Sequence, residues 1–206
     1  MAFSDGVERE RVALTFDDGP DPRGTPAVLE ALAAAGVRAT FFVLGERAER
    51  EPALLAQTLA EGHVVEVHGH AHLRHTEHPR EAVEADLRRA LATLGDVRPT
   101  GWRLPWGDLA PYSRALAAEH GLTLVGWTAD THDWRGDAAE LMLDSVALEP
   151  GAVVLMHDGI GPGARRVDCV QTARLVGPLV GRIRARGLQL GGIPSDAPVG
   201  NPDFAS

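Results

Sequence analysis

Short apolar segments alternate with segments of helical hydrophobic periodicity along nearly the whole chain, and this alternation restricts the fold more than any other feature. It is typical of a parallel α/β protein, in which helices cover the sheet. About seven segments of each kind, joined by a few residues, favour a closed or nearly closed barrel of parallel strands over an open sheet. We predict strands near residues 12–16, 40–44, 63–67, 102–104, 122–127, 152–156 and 188–191, and helices near residues 25–35, 52–61, 79–94, 111–120, 137–148 and 172–186.

The chain is expected to form a single domain over residues 1–206. Its length suits one hydrophobic core, and neither an internal repeat nor a linker divides it. We predict the core at about residues 11–192. Residues 194–206 contain Pro, Gly and Asp and lack periodicity, so a loose C-terminal tail is expected there.

Composition narrows the classes of function. The formal net charge is −9 and no basic cluster occurs, which argues against nucleic acid and anionic membranes as partners. No apolar run approaches the roughly 20 residues of a membrane span, and Met1 to Glu10 lack the apolar part of a signal peptide. We therefore expect a cytoplasmic protein without a membrane span, or a secreted or cell-envelope protein if an export signal has been removed. The oligomeric state is left open.

Two residue types set limits on the chemistry. All 20 basic residues are arginine, which excludes a lysine nucleophile or a Schiff base. Cys169 is the only cysteine, which excludes an internal disulfide and a cysteine-rich metal cluster. Any metal must therefore be held by histidines and carboxylates.

Chemically active side chains recur directly after the predicted strands. Because the carboxyl ends of parallel strands meet at one end of a barrel, we expect these side chains to lie close together. Glycines punctuate the opposite ends of the segments. The residues after the strands are Asp17, Asp18, His68, His70, His72, Arg103, Pro105, Trp106, Gly107, Asp130, Asp133, Trp134, His157 and Asp158.

Asp17 and Asp18 are adjacent carboxylates at the end of the first predicted strand. Two neighbouring acids repel each other and are costly to keep charged unless a cation neutralises them. His68 and His72 have the i, i+4 spacing that lets two imidazoles bind one ion, and Asp18 is the natural third ligand. We predict a divalent metal site at these three residues. A capped turn and a solvated polar loop are the alternatives.

If Asp18 binds the ion, Asp17 is free to take a proton from a water, which is the role of a general base. Arg103 is the best candidate for the positive charge that orients Asp17 and keeps it ionised. The turn that contains Trp106 could aim a backbone N–H at a developing oxyanion. A surface arginine and a simple tight turn are the alternatives.

His157 directly follows a buried strand and is the best candidate general acid, although a histidine at such a place is often structural. Asp130 or Asp133 could pair with it and raise its pKa. Tryptophan rings offer flat apolar faces that stack on sugars, although they are commonly core residues. We predict substrate contacts at Trp134, Trp106 and Pro105, with Trp127 as a further candidate ring.

Five short motifs follow one another in order along the chain. They are Thr15 to Pro20, His68-x-x-x-His72, Arg103 to Gly107, Asp130-x-x-Asp133-Trp134, and Leu155 to His157. In this order they resemble the motifs of the polysaccharide deacetylase family, carbohydrate esterase family four. The resemblance covers about residues 11–192. Gly69 stands where the family usually has Ser or Thr, and Trp106 where Tyr is commoner.

The resemblance implies an irregular (β/α) barrel that holds one divalent ion. Zn²⁺ is the expected ion, and Co²⁺, Ni²⁺ and Mn²⁺ are the alternatives. It does not imply that His70 is a ligand. The implied roles are Asp17 as base, Asp18, His68 and His72 as metal ligands, Arg103 as the partner of Asp17, the Trp106 amide in the oxyanion hole, and His157 as acid, tuned by an acid of the fourth motif.

We therefore expect a single catalytic domain that hydrolyses acetyl groups with a bound metal. The expected substrate is an acetylated carbohydrate that carries N-acetyl groups on amino sugars, of the chitin or peptidoglycan type, with O-acetyl esters as a further class. Three alternatives remain at the level of sequence. They are a related hydrolase of small amides, formyl compounds or esters, a catalytically weak sugar-binding homologue, and a metal-buffering histidine loop.

Overall fold

The computed structural model describes residues 11–195 and 197. Within this part of the chain the strands are β1 (Arg11–Asp17), β2 (Thr40–Val43), β3 (Val64–Val67), β4 (Gly101–Trp102), β5 (Thr123–Leu124), β6 (Ala129–Asp130), β7 (Val153–His157) and β8 (Gln189–Leu190). The α-helices are α1 (Thr25–Ala35), α2 (Gly45–Arg50), α3 (Pro52–Ala60), α4 (Arg80–Leu94), α5 (Ser113–Glu119), α6 (Ala139–Ser145) and α7 (Val170–Ala185). Short 3₁₀ turns cover His75–Glu77, Pro105–Gly107 and Asp133–Arg135.

The strands pair in parallel in the order β5-β4-β3-β2-β1-β7-β6, and β8 pairs with the start of β1. β1 lies near the centre of the sheet, and every residue of β1 after Arg11 is buried. The register places Asp17, at the end of β1, beside Phe42 of β2 and His157 of β7. The predicted irregular (β/α) barrel of about seven parallel strands is confirmed, and the two-residue β6 is a further strand that was not predicted.

The barrel is open between β5 and β6, since no strand pairing joins these two strands among the described residues. They lie at opposite ends of the sheet order, yet only residues 125–128 separate them along the chain. The sheet must therefore curl until its two ends are neighbours. Arg103, directly after β4, fills this seam, because its guanidinium donates to the carbonyl oxygens of Val125 at 3.4 Å and Gly126 at 2.8 Å.

The hydrophobic core lies between the sheet and the helices that cover it. Helices α1 and α7 pack against each other and turn apolar side chains inward at helical spacing. Fully burying one such side chain contributes about 1.5–3 kcal/mol, so the two helices anchor the central strands firmly. The inward residues are Val28, Leu29 and Leu32 in α1, and Leu175, Leu179 and Ile183 in α7.

Several elements differ from the prediction. The strand expected at residues 122–127 is the two-residue β5, because the carbonyl oxygens of Val125 and Gly126 bind Arg103 instead of a neighbouring strand. The helix expected at residues 137–148 extends only over Ala139–Ser145. Helix α2 was not predicted, since its short polar sequence buries only Gly45 and Ala48 and carries no apolar periodicity.

Most of the predicted tail at residues 194–206 lies outside the described residues. The assignment of one domain to the whole chain stays a prediction. Among the described residues, no helix has both the length and the apolar character required to cross a lipid bilayer.

Candidate active site

The two aspartates at the end of β1 both face one cavity. Successive side chains of a strand normally point to opposite sides of the sheet. Asp18 escapes this alternation because its backbone is left-handed, with φ 72°. Both carboxylates are nearly inaccessible to solvent, with 3% of Asp17 and 4% of Asp18 exposed. The structure therefore presents two buried acids side by side at the carboxyl end of the central strand.

Two histidines from the loop after β3 meet Asp18. The Nε2 atoms of His72 and His68 lie 3.2 and 3.5 Å from Asp18 Oδ1. His68 Nδ1 donates to the carbonyl oxygen of Arg103 at 2.8 Å, which leaves the Nε2 lone pair directed toward Asp18. One potential ligand atom from each of the three residues lies within 4.8 Å of the others. The structure thus brings together the three residues that the sequence predicted as metal ligands.

The chemistry of this trio suits a divalent cation. Asp18 Oδ1 is buried, and the groups that approach it are the ring nitrogens of His72 and His68, at 3.2 and 3.5 Å. Burial raises the pKa of Asp18, but the hydrogen bond and charge of His72 and the charges of His157 and His68 outweigh it and hold that pKa far below its usual range. Burial lowers the pKa of His68, which favours the neutral imidazole. An ionised carboxylate beside two imidazole rings is a donor set that suits a divalent ion.

The loop between the two histidines is held from behind by Asp86 of α4. Its carboxylate accepts hydrogen bonds from the backbone N–H groups of His70 at 2.7 Å and Ala71 at 2.9 Å. Gly69 has φ 86°, and a Cβ there would approach Asp86 Oδ2 to 2.9 Å, so glycine suits this position. The His70 ring packs near Gly45 of α2 instead of joining the trio. Gly69 is therefore part of a loop held by a carboxylate from another helix.

Asp17 is bound by Arg103 and lies farther from the two histidines than Asp18 does. Arg103 Nη1 donates to Asp17 Oδ1 at 2.8 Å and to Thr15 Oγ1 at 2.7 Å. The other oxygen, Oδ2, lies 3.8 Å from His68 Nε2. Arg103 has no solvent exposure and is not part of the cavity lining, so it influences a ligand in the cavity through Asp17. Oδ2 is consequently the oxygen of Asp17 that can meet a ligand.

His157, at the end of β7, pairs with Asp133 and not with Asp130. Its Nδ1 donates to Asp133 Oδ1 at 2.7 Å, and its backbone N–H donates to Asp133 Oδ2 at 2.9 Å. Asp130 accepts instead from the backbone N–H of His132 at 2.6 Å. Burial lowers the pKa of His157, but the carboxylate of Asp133, with Asp18 and Asp17, overrides this and raises it to about 9. Nε2 is thus a proton donor near neutral pH.

Arg166 fixes Asp133 from the far side. Its Nη1 donates to Asp133 Oδ2 at 2.9 Å and to Thr172 Oγ1, and its Nη2 donates to the carbonyl oxygens of His157 and Gly159 at 3.1 Å. Thr172 Oγ1 itself donates to Asp133 Oδ2 at 2.7 Å. Burial raises the pKa of Asp133, but the charge of His157 and these donors hold it at about 2. The acid beneath His157 is therefore a fixed anion.

The cavity has a volume of about 370 Å³, within the range of small-ligand sites. Trp106, Trp134 and Trp127 line it, and Trp106 lies at φ 63°, in a left-handed conformation rare for a bulky residue. The Trp106 ring packs edge to face against the His72 ring, with 5.0 Å between the ring centroids. The predicted oxyanion turn therefore contacts the metal trio. Pro105 is a buried residue of this turn and is not part of the cavity lining. We therefore leave Pro105 out of the proposed substrate contacts.

Three supporting residues were missed by reasoning from the sequence. Thr15 lies two positions before Asp17 on the same face of β1, so strand periodicity could have identified it. Asp86 is one of several acids on a solvated helix, and Arg166 lies in a loop without periodicity. No sequence pattern singles out these two, because their partners are distant in the chain.

Comparison with known proteins agrees with this geometry. A sequence model of the polysaccharide deacetylase family matches residues 4–125. A chitooligosaccharide deacetylase of Bradyrhizobium sp. (strain ANU 289) is 36% identical over 205 residues, which cover 93% of each protein. The crystal structure of the Bc1960 peptidoglycan N-acetylglucosamine deacetylase superposes with a TM-score of 0.84 and 28% identity over 95% of this chain and 92% of that one.

A family 4 carbohydrate esterase from Streptomyces lividans, solved in complex with acetate, gives a TM-score of 0.79 and 30% identity. That match covers 93% of this chain and 98% of the esterase chain. The family model covers the segments that supply Asp17, Asp18, His68, His72 and Arg103, and the matches to these relatives extend over 93% or more of the chain. The chain belongs to the polysaccharide deacetylase family, the family 4 carbohydrate esterases.

Proposed function

We propose that the protein is a metal-dependent deacetylase that hydrolyses the N-acetyl group of an amino sugar within an oligo- or polysaccharide. The observation that carries this proposal is the convergence of three units in one cavity: the Asp18–His68–His72 trio, the Asp17–Arg103 pair and the His157–Asp133 pair. The similarity to a chitooligosaccharide deacetylase and to a peptidoglycan N-acetylglucosamine deacetylase supports an amino-sugar substrate.

Asp18, His68 and His72 would hold the ion. Two imidazoles and one carboxylate are a donor set typical of catalytic zinc, so Zn²⁺ is the ion that we propose, ahead of Co²⁺, Ni²⁺ and Mn²⁺. When bound, the ion supplies Lewis acidity, which polarises an acetyl carbonyl and lowers the pKa of a water molecule.

The remaining steps belong to the side chains around the trio. Asp17, oriented by Arg103, takes a proton from the water as its oxygen attacks the acetyl carbon. The backbone N–H of Trp106 donates to the oxygen that becomes negatively charged. His157 Nε2 then gives its proton to the leaving nitrogen, the C–N bond breaks, and acetate and a free amine result. Asp133 balances the positive charge of His157 until His157 gives up its proton.

Tryptophan rings complete the proposed substrate site. Trp134 and Trp106 line the cavity and offer apolar surface to a sugar ring, and Trp127 forms part of the same wall. One face of Trp106 is already covered by the guanidinium of Arg74, whose central carbon lies 3.9 Å from the ring centroid. A sugar at this ring would therefore meet arginine as well as indole.

The proposed function is tested with metal-loaded protein and two groups of substrates. One group consists of N-acetylated chitooligosaccharides of increasing length, and the other of small N-acyl amides and acetyl esters. We expect acetate to be released from the oligosaccharides, with kcat/KM at least tenfold higher than for the small compounds, because remote contacts orient the reacting group. Hydrolysis of small amides without turnover of any sugar would contradict the carbohydrate assignment, and zinc binding without any hydrolysis would contradict the catalytic one.

We predict that Asp133→Asn lowers the upper pH limit of activity. In the wild-type protein the acidic form of His157 is present below its raised pKa and is lost as the pH rises through about 9. Removing the neighbouring negative charge lowers the pKa of His157, so the alkaline limb of the kcat profile should move down by roughly 1–3 pH units. Steady-state acetate release over a pH series measures the shift.

Asp130→Asn is the matched control, since Asp130 lines the same cavity but bonds to His132. The alkaline limb should stay at its wild-type position in this variant. An unmoved limb in Asp133→Asn, or an equal shift in both variants, would contradict the assignment of Asp133 to His157.

A further inference from the structure

The loop that follows β7 packs against one of the proposed metal ligands. Most of residues 159–164, here called the glycine loop, line the same cavity as the metal trio. A Cβ added to Gly161 would lie 2.0 Å from Asp18 Oδ2, so the backbone of the glycine loop contacts that oxygen and leaves no room for a side chain. The other carboxylate oxygen, Oδ1, faces His72 and His68.

This contact fixes which oxygen of Asp18 is offered to an ion. The glycine loop occupies the space on the Oδ2 side of the carboxylate, and the two imidazoles occupy the Oδ1 side. Gly159 adds a second contact, since a Cβ there would lie 2.3 Å from the backbone oxygen of Asp18. Rotation of the carboxylate is therefore restricted, and the position of the glycine loop sets the orientation of Asp18.

Two side chains outside the cavity lining hold the glycine loop in this position. Arg47 of α2 donates from Nη2 to the carbonyl oxygen of Ile160 at 2.6 Å and from Nη1 to Asp21 Oδ2 at 3.0 Å. The same oxygen of Asp21 accepts the backbone N–H of Ile160 at 3.2 Å. Both polar backbone groups of Ile160 are therefore bound, and the glycine loop is attached to α2 and to the segment after β1.

This attachment is largely shielded from water. The side chain of Arg47 is 14% exposed and that of Asp21 is 5% exposed. Burial raises the pKa of Asp21, but the hydrogen bonds from Arg23 and Ile160 and the charge of Arg47 outweigh it and hold that pKa below its usual value. Asp21 is therefore an anion at neutral pH. Hydrogen bonds that involve ionised groups are roughly twice as strong as neutral ones, so the glycine loop is held firmly.

We propose that Arg47, with Asp21 as its partner, is a positioning residue for the metal site, which acts through the glycine loop to hold Asp18 in the orientation that binds the ion. The inference rests on the proposed metal site and adds residues that contact neither the ion nor the substrate. It also gives a role to α2, whose only buried residues are Gly45 and Ala48.

The test measures the rate at which zinc leaves the protein. Wild type, Arg47→Gln and Gly161→Ala are loaded with Zn²⁺, and transfer of the ion to an excess of a colorimetric chelator is followed over time. Changing a residue that supports a metal ligand typically costs about 10–100-fold in metal affinity, so zinc release should be about tenfold faster from Arg47→Gln. Release from Gly161→Ala should be at least as fast, because its Cβ displaces Asp18 Oδ2 directly.

Arg50→Gln is the matched control. Arg50 lies on the same helix and donates to Glu46 of that helix. This variant should release zinc at the wild-type rate. Arg47→Lys should fall between wild type and Arg47→Gln, because lysine keeps the charge but lacks the planar fork that reaches two acceptors. Arg47→Lys also serves as the test if Arg47→Gln does not fold.

Two further measurements distinguish positioning from general stabilisation. In Arg47→Gln, hydrogen exchange should be faster at the backbone N–H of Ile160 and unchanged in β7, because only the glycine loop is released. With saturating Zn²⁺, the alkaline limb of the kcat profile should stay at its wild-type position, since the pair of His157 and Asp133 is untouched.

The outcomes separate the inference from the metal site beneath it. Zinc release at the wild-type rate from folded Arg47→Gln, or an equal acceleration in Arg50→Gln, would overturn the inference and leave the metal site intact. Faster hydrogen exchange throughout β7 in Arg47→Gln would also overturn it, since zinc would then be lost through general loosening of the fold. Wild-type protein that binds no zinc would overturn the proposed metal site, and the inference with it.

Discussion

Asp17→Asn should lower kcat for acetate release by about 10³-fold, because general base catalysis of this kind contributes roughly 10²–10⁴-fold. Asparagine has nearly the same shape as aspartate, and its side-chain oxygen can still accept the hydrogen bond of Arg103. Its amide cannot take a proton from water. The variant therefore removes the chemistry of Asp17 and keeps the architecture of the site.

Three measurements make this prediction specific. Saturating-substrate kinetics give kcat, elemental analysis gives the metal content, and thermal unfolding checks the fold. Asp96→Asn, at an exposed site, is the matched control and should retain wild-type activity. A kcat within tenfold of wild type in a metal-loaded, folded Asp17→Asn protein would place the base elsewhere.

Arg103→Met should have the largest effect on stability. The side chain fills the seam of the barrel and holds Asp17, Thr15 and the carbonyl oxygen of Gly126 at 2.7–2.8 Å. Methionine fills similar volume but leaves the buried carboxylate of Asp17 without its partner. Removing one member of a buried ion pair typically costs about 3–5 kcal/mol of the free energy of unfolding. For a chain of this size the melting temperature should fall by about 10 °C.

The double variant Asp17→Asn/Arg103→Met distinguishes two causes of lost stability. One is the unpaired carboxylate of Asp17, and the other is the loss of the contacts that Arg103 makes in the barrel seam. If the unpaired carboxylate is the main cause, removing it as well should restore more than half of the lost free energy of unfolding, measured by denaturant titration. Equal stability of the single and double variants would show that the lost contacts to Thr15 and Gly126 dominate. A single variant as stable as wild type would contradict the structural role of Arg103 altogether.

The sequence was informative wherever a residue's role depends on its place at a strand end. Parallel strands bring their carboxyl ends together, so the sequence alone predicts that Asp17, Asp18, His68 and His157 lie at one site. The same logic could not choose between Asp130 and Asp133, since both follow one strand closely. Only the turn geometry directs Asp133 toward His157 and Asp130 toward His132.

The contacts that depend on closure of the barrel could not be predicted. The carbonyl oxygens of Val125 and Gly126 face Arg103 because the sheet ends meet there, and that meeting also shortens the strand predicted at residues 122–127. Arg166 reaches Asp133 from a loop without periodicity, so its pairing depends on tertiary structure alone. The role of Gly69 likewise required the position of Asp86 on a separate helix.

Asp18, His68 and His72 should hold one ion, whereas their neighbour Asp17 should not be a ligand. Equilibrium dialysis against Zn²⁺, followed by elemental analysis of wild type, Asp17→Asn and Asp18→Ala, measures this difference. We predict about one ion per chain in the wild type and in Asp17→Asn, and a loss of most of it in Asp18→Ala, which lacks one of the three ligands. Equal loss of the ion from both variants, or full retention in Asp18→Ala, would contradict it.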